Sequence, residues 1–211
     1  MKKLFLSGLL TINFLFLFAQ SSNRISNPIN NNSTTGNSFT HYVGELYGGG
    51  VVFDVYKDET GHEHGLIVAL NDQATEQAWS NVTSVSIGNS TQNEWDGLQN
   101  SRSIIRQQNH TSSAAKICFD LCDGGFHDWY LPALNEMGLL YSFKFKVNRT
   151  LHTTSRATEI TGTNPNNFYW TSTEYDSENA WIVEFNSLQP APYFYFSSKY
   201  GPGRVRAIRA F

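Results

Sequence analysis

The sequence predicts an α+β domain, on three observations. A hairpin-like pair of apolar runs opens the folded part of the chain, helix-compatible segments fill its middle, and short aromatic or β-branched runs close it. Grouping helices and strands apart, as opposed to alternating them, is the mark of α+β organisation. Charged residues are few (16%) and aromatic ones many (14%) among 211 residues. The length suits one domain and a leader, and the balance suits a secreted β-rich binding domain and argues against a disordered or coiled-coil chain. The formal net charge is −3 and no Lys/Arg cluster stands out, so electrostatic binding to nucleic acid or an anionic membrane is disfavoured.

Residues 1–19 predict a secretory signal peptide. Lys2 and Lys3 form the charged start, Leu4 to Phe18 is an apolar run, and Ala19-Gln20 is the cleavage point. The run is shorter than the ~20 apolar residues of a spanning helix, and no later segment is long enough either. The expected address is therefore outside the cell, on its surface or in the periplasm. Loss of Lys2 and Lys3 takes the net charge from −3 to −5. Residues 20–40, rich in Asn, Ser and Thr, predict a flexible leader. Residues 41–211 are then the domain.

Within it, residues 41–70 predict a β-hairpin. Val51 to Tyr56 is a β-branched and aromatic run, and Leu66 to Leu70 a continuous apolar run between turn residues, which predicts a buried strand. His62-Glu63-His64 between them lacks a third ligand, so a solvated turn is expected and no metal. Residues 71–99 are polar with Trp79 and Trp95 as isolated anchors. Leu98 to Gln108 has helical spacing. A second helix, capped by Ser112 or Ser113, runs to Cys122 and is stopped by Gly124-Gly125.

The chain is organised around Gly124-Gly125-Phe126-His127-Asp128-Trp129-Tyr130-Leu131-Pro132. The glycines end a helix, Trp129 and Leu131 supply core, and Pro132 is expected to open a third helix with Leu134, Met137, Leu140 and Tyr141 as its inner stripe. Residues 145–167 look polar and turn-rich. Strands are expected at Phe168–Thr173, Ala180–Asn186, Tyr193–Ser197 and Arg204–Phe211. Trp129, Trp170 and Trp181 are expected in the core, since each has a large apolar area to bury. Arg206 and Arg209 are placed to pair with Glu136 or Asp128. Cys118 and Cys122, at i and i+4, could pair in an oxidising compartment or could be two small core residues.

The order and spacing of Gly48-Gly49-Gly50-Val51-Val52-Phe53, the Gly-Gly-Phe-His-Asp-Trp-Tyr-Leu-Pro stretch, Tyr169-Trp170-Thr171-Ser172-Thr173-Glu174, Ala180-Trp181 and Val205-Arg206-Ala207-Ile208-Arg209 resemble the Lcl C-terminal domain family of bacterial collagen-like adhesins. The resemblance covers about residues 44–211. It implies a C-type-lectin-like fold, with two or three helices on small, mostly antiparallel sheets and long loops. It also implies a secreted or surface protein that binds a glycan or a host or neighbour surface protein, in some members a sulfated glycan. The acidic balance of this chain does not suit an anionic glycan, and no collagen-like Gly-x-y repeat is present.

The sharpest site expectation is Gln189 to Gly203. On a strand, Tyr193 and Tyr195 share one face, with Lys199 and Tyr200 nearby; these four are the candidate ligand-binding residues. The bland alternative is a strand covered on both faces. Gln189-Pro190 is similar to the Pro-containing calcium loop of sugar-binding lectins, but the accompanying Trp-Asn-Asp is missing, and no cofactor is expected. The chain is not expected to be an enzyme. Ser172 lacks a nucleophile frame, His127 and Asp128 are adjacent in an irregular segment, and Cys118 and Cys122 sit on a core helix, unlike the pair of cysteine-oxidising lectin-fold enzymes. A structural component of a surface appendage is the other non-enzymatic alternative.

Overall fold

The structure, a computed structural model, describes residues 38–162, 168–185 and 191–211. The expected signal peptide, nearly all of the leader and Gln189-Pro190 lie outside the described residues. The elements are β1 (Leu46–Tyr47), β2 (Gly50–Lys57), β3 (Glu63–Ala69), β4 (Ala74–Gln77), α1 (Gly97–Ile105), α2 (Ala114–Phe119), α3 (Leu134–Thr153), β5 (Phe168–Glu174), β6 (Asn179–Glu184), β7 (Tyr193–Ser198), β8 (Gly203–Val205) and β9 (Ile208–Ala210). Among the described residues they form two sheets, β1-β2-β3-β9 and β4-β8-β5-β6-β7. All pairings are antiparallel except that of β5 with β8.

Strand alternation divides the core in two. Val51, Phe53, Val68, Tyr169, Val183 and Ile208 face α3, against Met137 and Leu140. Their neighbours Val52, Ile67, Trp170, Ile182 and Val205 point the other way, to Trp79, Trp129, Ile104 and Cys118. Central strands buried on both faces must be apolar at successive positions, which accounts for the unbroken run at Leu66 to Ala69.

The Gly124-Gly125 stretch ties these layers together. Both glycines have positive φ, 60° and 83°, inside a turn closed by paired bonds between Asp123 and Phe126. A Cβ at Gly124 would run into the backbone of Gly49. Tyr130 then exchanges backbone hydrogen bonds with Ile208 of β9, at 2.8 and 3.0 Å. The Leu131 N–H donates to Ser101 Oγ of α1 at 3.1 Å, and the Pro132 carbonyl accepts from the Ser172 N–H of β5 at 2.8 Å. Trp129, Leu131 and Pro132 are buried, each large apolar side chain contributing roughly 1.5–3 kcal/mol.

Pro132 lies just before α3 and does not open it. Ala133 is the N-cap and has no side-chain oxygen, so the cap is assembled from elsewhere. Glu136 reaches back to accept from the Ala133 N–H at 2.7 Å, and Thr173 Oγ1 of β5 accepts from the Leu134 N–H at 3.0 Å. Two donors of the first turn are thereby satisfied. Glu136 also accepts from Tyr130 Oη at 3.0 Å and from the Gly97 N–H of α1 at 3.2 Å. Burial pushes its carboxyl up to about 7 despite these donors.

Four further expectations are corrected. Helix α3 runs to Thr153, through part of the supposedly turn-rich 145–167 segment, because Lys144, Val147 and Leu151 continue its buried stripe. Helix α2 is a short segment ending at Phe119, so Cys118 and Cys122 are not on one helix face; both are free thiols, Cys118 buried and Cys122 exposed. The expected last strand is two strands in different sheets. Between them the buried Arg206 ion-pairs with Asp72 at 2.9 Å and donates to the carbonyls of Thr158 (2.6 Å) and Ala69 (3.1 Å), and these long-range bonds turn the chain from β8 to β9. Trp181 is only partly buried, at the margin of the α3-facing core.

Candidate binding surface

Strand β7 is an edge strand of the five-stranded sheet, and its register against β6 sorts its side chains. Phe194 and Phe196 pair with Val183 and Trp181, while Tyr193 and Tyr195 pair with Glu184 and Ile182. Phe194 turns in over α3, where a Cβ at Gly138 would come within 3.0 Å of its ring. Tyr193 and Tyr195 are 52% and 49% exposed. Their rings stack with centroids 6.0 Å apart and planes 16° apart.

The row continues beyond the residues expected from the sequence. Tyr195 stacks on Phe196 at 4.9 Å, and Phe196 on Tyr175 at 4.1 Å with an interplanar angle of 3°. Tyr175 meets Trp181 edge-on at 5.1 Å. Tyr175, 41% exposed, sits in the turn between β5 and β6, where its N–H donates to the Asn179 carbonyl at 3.1 Å. Asp176 braces that turn by accepting from the Glu178 and Asn179 N–H groups, at 2.8 and 2.7 Å. Burial raises the Asp176 carboxyl, but the Asn179 side chain and then those backbone donors outweigh it and hold the carboxyl below its ordinary range. The result is an aromatic strip on a hydrogen-bonded support. The only sequence cue to Tyr175 was its place directly after the Tyr-Trp-Thr-Ser-Thr-Glu strand.

Lys199 is not part of this surface, which corrects the expectation. It is 0% exposed. Its Nζ donates to Glu174 Oε1 at 2.7 Å and to the Ser177 carbonyl at 3.0 Å, and lies 4.9 Å above the Trp79 ring. Glu174 is equally buried and also accepts from Ser86 Oγ (2.9 Å) and from the N–H groups of Ile87 (3.0 Å) and Gly88 (2.8 Å). The pair thus clasps the long 71–99 segment to β5 and to the turn after β7. Tyr200, in that turn, is 75% exposed.

The other sequence-singled residues are placed as follows. Trp170 is buried and its Nε1 donates to the Gln77 carbonyl at 2.7 Å. Arg209 makes a two-pronged bond to Asp128, at 2.7 and 2.8 Å, over the Phe126 ring, and this guanidinium holds the Asp128 carboxyl below its ordinary range. The neighbouring His127 has its Nε2 3.6 Å from Cys122 Sγ. Burial pushes the Cys118 thiol far up. His62, in the turn, is bonded to Thr60 (2.7 Å), whereas Glu63 and His64, expected in that turn, already belong to β3, where His64 is bonded to Asp58 (3.0 Å). Among the described residues no three His, Cys, Asp or Glu side chains form a group able to hold a metal. No helix of the described residues is long and apolar enough to cross a membrane.

No curated protein matches the chain. Among solved structures, a fimbrial protein from Bacteroides ovatus is similar in fold, with a TM-score of 0.51 and 16% identity. The similarity covers 70% of this chain and 36% of that one, so the chain spans about a third of that protein's length. The family model of the Lcl C-terminal domain matches residues 68–209, from the end of β3 into β9 and including the whole aromatic strip; the chain belongs to the Lcl C-terminal domain family.

Proposed function

We propose that the protein is a non-enzymatic binding module, exported and displayed at the cell surface, that holds a glycan or a surface protein against the aromatic strip. The observation that carries this reading is the strip itself: Tyr193, Tyr195 and Tyr175 are about half exposed, yet their rings are aligned and backed by Phe196 and Trp181. Aromatic surface held at the solvent in a fixed array marks an interaction site. Tyrosine contributes contact area at low entropic cost and a hydroxyl for hydrogen bonding. The C-type-lectin-like architecture, the signal peptide and the adhesin-like role belong to this same proposal, supported by the family membership and by the likeness to a fimbrial protein.

A second reading, a structural component of a surface appendage, draws on the position of β7. It is an edge strand, and an edge with unpaired backbone groups is a template for pairing with another chain. The two readings separate in one experiment. The purified domain is applied to immobilised glycans and matrix proteins at low and high salt, and its mass in solution is measured in parallel. A ligand held by ring stacking is retained at high salt. Concentration-dependent assembly with no retained ligand would favour the appendage role.

A further inference from the structure

A cleft that shares no lining residue with the strip lies between the first sheet and the start of α3. We propose that this cleft binds an organic ammonium ion, with Trp95 and Tyr56 as aromatic walls and the Asp54 carboxylate as counter-charge. The cleft has a volume of ≈ 450 Å³, and Leu66, Leu139 and Glu136 complete its lining. That is within the size range of small-molecule sites.

Its walls are brought together by register and by a braced loop. Asp54 and Tyr56 are two apart on β2 and share a face, opposite Leu66 and His64 of β3. Glu136 and Leu139 lie three apart on α3. Trp95 is 60% exposed, yet its backbone is fixed. Asn93 Oδ1 accepts from the N–H groups of Trp95 and Asp96, at 2.8 and 3.1 Å. The Asn93 carbonyl in turn accepts from Asn100 Nδ2 (2.6 Å) and Thr173 Oγ1 (3.1 Å). The Asn135 N–H of α3 donates to the Glu94 carbonyl at 2.9 Å. An indole is thus presented to solvent from a rigid mount beside a hollow.

The charge in the cleft is of one sign. The lining residues include two carboxylates and no basic side chain. Asp96, which caps α1 through the Gln99 N–H at 2.9 Å, adds negative potential at Glu136. Glu136 has both oxygens engaged by Tyr130, Ala133 and Gly97. Asp54 is different: it is partly buried, and its carboxyl is pushed above its ordinary range by that burial, offset only by the Val55 backbone N–H. A bound cation relieves this penalty. Aromatic faces flanking a carboxylate attract an ammonium through the ring quadrupole as well as the full charge. His64, opposite Tyr56 on β3, has its ring tilted by 31° at 5.5 Å from the Tyr56 ring and is tied to Asp58 at 3.0 Å.

The test is calorimetric or NMR titration of the domain with choline and with its neutral isostere 3,3-dimethylbutan-1-ol. Choline is expected to bind with a Kd on the order of 1 mM and the alcohol at least about tenfold more weakly. Asp54→Asn and Trp95→Ala, each checked for an unchanged melting temperature, are each expected to weaken choline by roughly tenfold. Tyr193→Ala/Tyr195→Ala is expected to leave choline binding intact, which separates this site from the aromatic strip. Phosphatidylcholine vesicles added as a second probe distinguish a headgroup displayed on a membrane from a free ligand. Equal affinity for choline and the alcohol, no choline binding, or binding unchanged in both variants would overturn the proposal.

Discussion

Replacing Lys199 with methionine separates the two roles open to that residue. In the structure its ammonium is sealed against Glu174 at 2.7 Å, with both side chains fully buried. Lys199→Met keeps most of the volume and the packing over Trp79 but strands a carboxylate in the interior. Removing one partner of a buried pair costs about 3–5 kcal/mol. Glu174 retains the Ser86, Ile87 and Gly88 donors, so the lower end, about 3 kcal/mol, is expected. In a domain of this size each kcal/mol moves the melting temperature by about 2–4 °C, giving a fall of about 6–12 °C. Thermal unfolding followed by circular dichroism reads this directly. A cycle with Glu174→Gln adds a second check: the paired residues are expected to couple by more than about 0.5 kcal/mol. An unchanged melting temperature accompanied by lost ligand binding would show that Lys199 faces a ligand and not Glu174.

Two further outcomes follow from buried groups. The Glu136 carboxyl is raised from 4.5 to about 7, so the folded state binds the extra proton between those values. Stability conferred by that proton is present below pH 4.5 and is lost as pH rises through 7, a decline of ~3 kcal/mol. Glu136→Gln is expected to flatten that part of the denaturant-midpoint profile, and an identical slope in the variant would exclude Glu136 as the cause. Cys122 is exposed, whereas burial raises the Cys118 thiol and shields it. A maleimide is therefore expected to label one thiol in the native protein and two after denaturation; none without reductant would mean the two are bonded.

The fold was readable where local pattern and burial agree. The β2–β3 hairpin, the helix-start region after Gly124-Gly125 and the β5–β6 pair all announce themselves by apolar runs between turn residues. Where partners are distant the sequence is silent. Lys199 looks like any turn lysine beside Tyr200, because Glu174 and the 86–88 backbone that neutralise it reach it only through the fold. The split of the last strand depends on Arg206 finding Asp72, Thr158 and Ala69, and nothing near Arg206 in the chain signals it. Helix α3 is hard to follow beyond Tyr141 because its outer positions mix polar residues with the exposed Phe145, and only the sparse stripe Lys144-Val147-Leu151 marks the continuation. The tyrosine pair of the strip was visible from period-2 alternation alone. Tyr175 was not, since it joins the row from a turn by way of Phe196.

The most direct test of the account compares wild type and Tyr193→Ala/Tyr195→Ala on whichever glycan or matrix protein the wild-type domain retains, with melting temperatures alongside. Both rings are about half exposed at a sheet edge, so the fold is expected to lose no more than about 1–2 kcal/mol while binding drops by about tenfold or more. Retention equal to wild type by a folded variant would contradict the assignment of the strip as the ligand surface.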